Sequence, residues 1–265
     1  MFKLGIKYLS FFFGIVSILS FFNILYSYYF NLYLNLDTYY FTLIASSILF
    51  ITFFKFGKYD IKSNIFQRVL TIFLGYLLIP LVLSIPFYFS IYNLTFSNSF
   101  FEAISGFTST GFTVFENIKL IDQSLIIWRS STQWIGGLYF LFSIIYLIDI
   151  YDDSFKKTLT NFISFNSTEI LKQAVKIFIL YSSLTILIFM ILNIFSIRTF
   201  DSLNLALTII SSGGFLPVNE LSTIIKENAQ IIVFSLLMLV SFFSLFFSYN
   251  LIFLIKKNIN FFYED

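Results

Sequence analysis

Cysteine and histidine are both absent from this chain. That excludes disulfides, thiol catalysis, zinc sites built on sulfur or imidazole, and acid–base chemistry at a histidine. Charge is scarce as well. Only 11% of residues are Asp, Glu, Lys or Arg, against about 25% in a soluble domain. Neither G-x-G-x-x-G nor G-x-x-x-x-G-K-[ST] occurs, so no phosphate-cradling loop of either kind is encoded. What remains is apolar: 58% of the 265 residues are hydrophobic, with 40 Phe and 17 Tyr and a mean hydropathy of +0.88. A soluble core of this length cannot hide so many aromatic side chains, and the chain reads as an all-α membrane protein.

A spanning helix needs about 20 mainly apolar residues. Suitable runs cover 8–30, 38–54, 69–91, 130–148, 174–197 (with Lys176 at its edge) and 231–255, giving six expected transmembrane helices. No carboxylate lies inside any of them, which disfavours a proton relay. The first run follows Lys3 and Lys7 like a secretory signal, but its length and the lack of a small-x-small cleavage site predict retention. With both termini cytoplasmic, segments 1–7, 55–68, 149–176 and 256–265 hold twelve of the sixteen Lys and Arg. This satisfies the positive-inside rule. The outer face then carries seven acidic residues against Lys119, Arg129, Arg198 and Lys226, a mildly negative entrance for cations.

Two outer loops, 92–129 and 198–230, each contain an apolar stretch too short to span. In the first, Ser99 and Glu102 read as a capping box for a half-helix over 100–107, ending at Thr108-Ser109-Thr110-Gly111. In the second, Asp201 reads as an N-cap and the apolar run ends at Ser211-Ser212-Gly213-Gly214. Aligning Gly111-Phe112 with Gly214-Phe215 also superposes Thr108 on Ser211, Ser109 on Ser212 and Ala103 on Ala206, at a constant offset of 103. The chain is thus a repeat of a span–loop–span unit, with two leading helices over 1–62 and units over 63–160 and 161–265. Irregular backbone at membrane depth must be buried in protein or line a wet cavity. A half-helix entering from outside points its partly negative end inward, and glycine at the tip lets successive carbonyls face one axis. Such carbonyls can replace the water shell of an ion.

Residues 100–113, running from Phe100-Phe101-Glu102-Ala103 to Gly111-Phe112-Thr113, resemble the first pore loop of the Trk/Ktr/HKT superfamily of potassium transporters. Trp128-Arg129-Ser130-Ser131-Thr132-Gln133-Trp134-Ile135-Gly136-Gly137 resembles the start of the next helix in bacterial Trk and Ktr members, and Ser211 to Phe215 their second pore loop. The order and spacing match, and two leading spans fit the Trk branch. The resemblance implies potassium uptake across the bacterial inner membrane, with filter carbonyls from Thr108, Ser109, Thr110 and Gly111 and from Ser211, Ser212, Gly213 and Gly214. It implies no cofactor, no covalent chemistry and no nucleic acid, with K+ as the transported ion. It also implies a lipid environment, a homodimer and a separate cytoplasmic subunit that binds nucleotide.

The family surrounds one pore with four such units, and this sequence carries two. The third-repeat gating loop and the fourth-repeat arginine have no counterpart here, and Leu138-Tyr139 interrupts the glycine-rich pattern after Trp134. Three readings stay open: half of a split transporter completed by a complementary chain, two copies forming one channel, or a truncated, non-conducting membrane scaffold. The first and third fit the divergence of the two units better. Arg129 is expected as a snorkelling anchor between Trp128 and Trp134, with Glu116 or Asp122 as possible partners. Gly136-Gly137 is expected to be a close packing point. Asp149, Asp152 and Asp153, with Lys156 and Lys157 nearby, read as a solvated connector, and Lys172 and Lys176 as positive-inside charges.

Overall fold

The computed structural model describes residues 5–57, 65–148 and 167–242. It is helical throughout, with no strand among the described residues. Helices α1 (Lys7–Tyr29) and α2 (Leu36–Phe56) form an antiparallel pair. They are followed by α3 (Ile65–Leu83), the short α4 (Ile85–Tyr88), α5 (Phe96–Phe107) and α6 (Gln123–Ile148). The second half repeats the pattern with α7 (Ser167–Ile194), α8 (Thr199–Ile210) and α9 (Asn228–Phe242). Among the described residues, four helices are long and apolar enough to cross a membrane: Lys7–Tyr29, Leu36–Phe56, Ile65–Tyr88 and Ala174–Ile194. The remainder of the expected last span, and Asp149, Asp152, Asp153, Lys156 and Lys157, lie outside the described residues.

The two leading helices differ in role. Helix α1 is buried along much of its length, whereas α2 turns Phe41, Ile44, Ile48 and Ile51 outward. Phe12 of α1 packs edge-on against Tyr139 and Phe142 of α6, at centroid distances of 4.8 and 5.1 Å. Tyr8 closes the same cluster against Tyr146 at 5.2 Å. These T-shaped contacts seat α1 in the core of the first unit, each adding about 0.5–1.5 kcal/mol beyond area burial.

Helix α3 contains Pro80 and gives way to α4 at Ser84, with Pro86 just beyond. Proline removes a backbone donor and frees carbonyls in the preceding turn. The Trp128 indole donates to the Leu83 carbonyl at 3.0 Å, satisfying a backbone group at this break.

The internal repeat extends through the backbone. Helices α5 and α8 lie 103 positions apart at both ends, as do the 3-10 turns Ile118–Leu120 and Leu221–Thr223. Two pairs of left-handed residues share the same offset, Asn93 with Ser196 and Ser109 with Ser212.

Both half-helices begin earlier than expected. Thr95 caps α5, its hydroxyl accepting from the Asn98 amide at 3.3 Å, so Ser99 lies inside the helix and donates to the Thr95 carbonyl. The expected capping box is therefore absent, and Glu102 is turned into the protein interior. Asp201 is likewise not the cap of α8. Arg198 occupies that position without a side-chain bond, and Asp201 falls in the first turn.

Candidate functional site

The tips of α5 and α8 are built alike. At each, the chain closes the helix with a residue in the left-handed conformation: Ser109 at φ 55° and Ser212 at φ 52°. The Ser109 amide donates to the Gly106 carbonyl and the Thr110 amide to that of Ser105; Ser212 and Gly213 do the same to Ile209 and Thr208. This nested pair of bonds is the Schellman closure, which satisfies the last helical carbonyls and turns the chain sharply away. Hydroxyls reinforce it, with Thr108 donating to the Ile104 carbonyl at 2.8 Å and Ser211 to that of Thr208 at 3.0 Å.

Beyond the caps the two loops touch. Gly111 has φ 81°, and a Cβ added there would lie 3.0 Å from the Gly214 Cα, so a side chain would be strained in backbone and crowded by the facing loop. Among the described residues, the carbonyls of Thr108 to Gly111 and of Ser211 to Gly214 accept no hydrogen bond. Unpaired backbone acceptors normally face water, an ion or another polar partner. Thr108, Thr110, Ser212 and Gly214 are exposed, Ser109, Gly111 and Gly213 are half-buried, and Ser211 is buried. A cavity of about 330 Å³ lies at both tips, lined by Thr108, Ser109, Ser211, Ser212, Gly136 and Gly137 among others. The partly negative C-terminal ends of α5 and α8 thus meet at one concave space without any carboxylate, an arrangement suited to a cation. Among the described residues, no group of three or more metal-ligating side chains occurs.

Behind the tips lies a buried ionic knot. Arg129 of α6 and Glu102 of α5 are 1% and 0% exposed and pair at 2.8 Å through Nε and Oε1. The Thr113 hydroxyl donates to Glu102 and accepts from Arg129 Nη2 at 3.1 Å, and the Val114 amide donates to Glu102 Oε2 at 2.9 Å. Arg129 Nη1 reaches the Leu216 carbonyl of the second loop at 3.4 Å, and the guanidinium lies 4.3 Å from the Phe215 ring centroid. This corrects the sequence expectation. Arg129 is not a snorkelling anchor, and its partner is neither Glu116 nor Asp122. One turn further on, buried Gln133 accepts from the Phe215 amide at 3.2 Å. Ser130 donates to Asn204 at 2.7 Å, tying α6 to α8. At the start of α8, burial pushes the Asp201 carboxyl above its ordinary range, with Arg198 partly opposing.

Gly136 and Gly137 let α6 approach both half-helices. A Cβ at Gly136 would overlap the Phe107 carbonyl oxygen, and one at Gly137 would come within 2.9 Å of Ser211 Cβ. Successive glycines thus contact successive repeats.

Two loops repeated in backbone, meeting glycine to glycine, define a fold that can be compared with known proteins. No family model matches the chain. It is 27% identical over 175 residues to an uncharacterized cation transporter of Methanocaldococcus jannaschii, covering 62% of this chain and 35% of that protein. It is 33% identical over 82 residues to the Trk system potassium uptake protein TrkH of Escherichia coli K12, covering 31% of this chain and 17% of TrkH. The crystal structure of the potassium transporter TrkH from Vibrio parahaemolyticus superposes with a TM-score of 0.72 over 93% of this chain and 51% of TrkH, at 20% identity. The chain is a relative of the Trk potassium uptake proteins. Its fold is similar to that of half of TrkH, and it spans 35% or less of the curated relatives compared above.

Within this TrkH-like fold, sequence reasoning located the tips but missed Glu102, Thr113 and Gln133 as supports. The signal for Glu102 was present: a lone carboxylate flanked by Phe101 and Ala103 in an apolar half-helix needs a buried cationic partner. The partner 27 positions away in the next helix could be named only after folding.

Proposed function

We propose that this chain forms the first half of a Trk-type potassium-uptake pore in the bacterial inner membrane. Six spans and two re-entrant half-helices, arranged as leading helices over 1–62 and units over 63–160 and 161–265, would place both termini in the cytoplasm. Potassium would shed water onto the carbonyls of Thr108, Ser109, Thr110 and Gly111 and of Ser211, Ser212, Gly213 and Gly214, with no covalent step and no cofactor. The observation that carries the reading is the meeting of Gly111 and Gly214 at the ends of two runs of carbonyls that accept no hydrogen bond among the described residues. Two such loops make two quarters of a ring, and a closed filter needs two more. Lipid would surround the spans, and a cytoplasmic nucleotide-binding subunit would gate the pore.

The test is growth of cells lacking potassium uptake on titrated external potassium. Expression of this chain, alone or with a complementary half, should lower the potassium requirement. Gly111→Asp and Gly214→Asp should each abolish rescue, because both add a fixed charge among the carbonyls, and at Gly111 the added Cβ also crowds the Gly214 Cα at 3.0 Å. Rescue that survives both substitutions rules out the filter.

A further inference from the structure

The ionic knot behind the tips holds no carbonyl of the proposed filter, yet it touches both loops at equivalent positions. Thr113 follows Gly111 by two residues, and Leu216 follows Gly214 by two. Arg129 donates to the Thr113 hydroxyl through Nη2 and to the Leu216 carbonyl through Nη1, while Nε is held by Glu102 at 2.8 Å. Three nitrogens of one planar group thus contact the first half-helix, the exit of the first loop and the exit of the second. The face of the same group rests on Phe215 at 4.3 Å. An ammonium on a flexible stem cannot reproduce this fork, because its three donors are not fixed in one plane. Both charged partners are buried, so neither can swing into water without leaving the other uncompensated.

We infer that Arg129, oriented by Glu102 and Thr113, is a positioning residue that fixes the register of the two carbonyl loops and thereby sets the ion selectivity of the pore. The inference rests on the pore reading above. Carbonyl selectivity depends on how many oxygens meet the ion and how firmly they are held. A group that bolts the two loop exits together controls both quantities without touching the ion.

The experiment compares the full chain with Arg129→Lys and Thr113→Val, under the conditions in which the parent chain supports uptake. Rubidium and sodium uptake are measured alongside the amount of protein in the membrane. Arg129→Lys is expected to lower the rubidium-to-sodium ratio about tenfold and Thr113→Val about threefold, since the first loses the fork and the second one arm of it. Hydrogen exchange of the amides around Val114 and Phe215 should rise together in both variants, although Thr113 belongs only to the first loop. A purely stabilising ion pair would lower the amount of protein and leave the ratio unchanged. An unchanged ratio in variants that reach the membrane overturns the inference. If Arg129→Lys does not reach the membrane, Thr113→Val decides by the same ratio. If the parent chain carries no ion, the pore reading fails, and the exchange measurement judges the coupling by itself. A rise confined to one loop then overturns it.

Discussion

The two loop units share a backbone and differ in what supports them. Phe112 and Phe215 occupy equivalent places just after the tip glycines, yet Phe112 is 69% exposed and Phe215 only 2%. Phe215 lies under the Arg129 guanidinium, and its amide is held by Gln133, both from α6 of the preceding unit. The first loop is held largely from its own half-helix: Ser105 donates to the Phe112 carbonyl at 2.5 Å, and Glu102 holds Thr113 and Val114, with Arg129 of α6 adding a bond to Thr113. In the second unit the equivalents of Glu102 and Thr113 are Leu205 and Leu216, which cannot do this. The comparison teaches that tip geometry is a local property of the half-helix, whereas one helix, α6, helps to anchor the exits of both loops. Helix α9 carries Ile232 and Leu236 at the places of Arg129 and Gln133, and both are exposed.

The comparison breaks most sharply at those two phenylalanines. Phe215→Ala removes a buried ring and the cation–π contact with Arg129 and should destabilise the chain by about 3–4 kcal/mol. Phe112→Ala should change stability by less than about 0.5 kcal/mol, because its ring buries little. Thermal unfolding of the two variants in one detergent measures the difference. Equal costs would mean that the face at Phe112 is covered by another copy or chain in the purified protein.

The paired glycines of α6 offer the next test. Gly136→Ala forces a methyl into the Phe107 carbonyl, a backbone atom that cannot move aside, and should cost about 2–3 kcal/mol. Gly137→Ala meets the Tyr181 hydroxyl at 2.5 Å, which can swing aside, and Ser211 Cβ and Cα less severely at 2.9 and 3.0 Å, and should cost about 1–2 kcal/mol. Hydrogen exchange should loosen the end of α5 in the first variant and the end of α8 in the second. Loosening of both ends by either one would show that the half-helices act as a single body.

How much of this was legible in the sequence follows from range. The 103-residue offset, the ends of both half-helices and the tip composition were readable, because glycine and small hydroxyl residues after an apolar run encode a helix stop locally. The starts were misread, because Ser99 with Glu102 satisfies a capping pattern as well as Thr95 does. Thr95 takes the cap and leaves Glu102 for Arg129. Positive φ was expected at the glycines, and Gly111 has it, but the helix-closing positions went to Ser109 and Ser212. The Schellman bonds over-determine those two residues and outweigh the Cβ penalty of about 1–2 kcal/mol. Contacts between units, such as Arg129 with Leu216, have no local signature at all.

The smallest difference sits at the N-terminal ends of the half-helices. Thr95 gives α5 a hydroxyl acceptor for the Asn98 amide, whereas Arg198 gives α8 none. Thr95→Ala should therefore cost about 0.5–1 kcal/mol, the usual worth of such a cap. Arg198→Thr should supply the missing cap, since residue 198 already has the extended backbone that a cap requires, φ −53° and ψ 134°. The same change removes the Arg198 guanidinium from the Phe200 ring, 5.6 Å away, a contact worth about 0.5–1 kcal/mol at an exposed site. Gain and loss should nearly cancel, leaving the melting temperature of Arg198→Thr close to that of the parent. A clear stabilisation would mean that the ring contact contributes nothing, and that α8 tolerates its weaker start because Ser130 and Asn204 already hold it to α6.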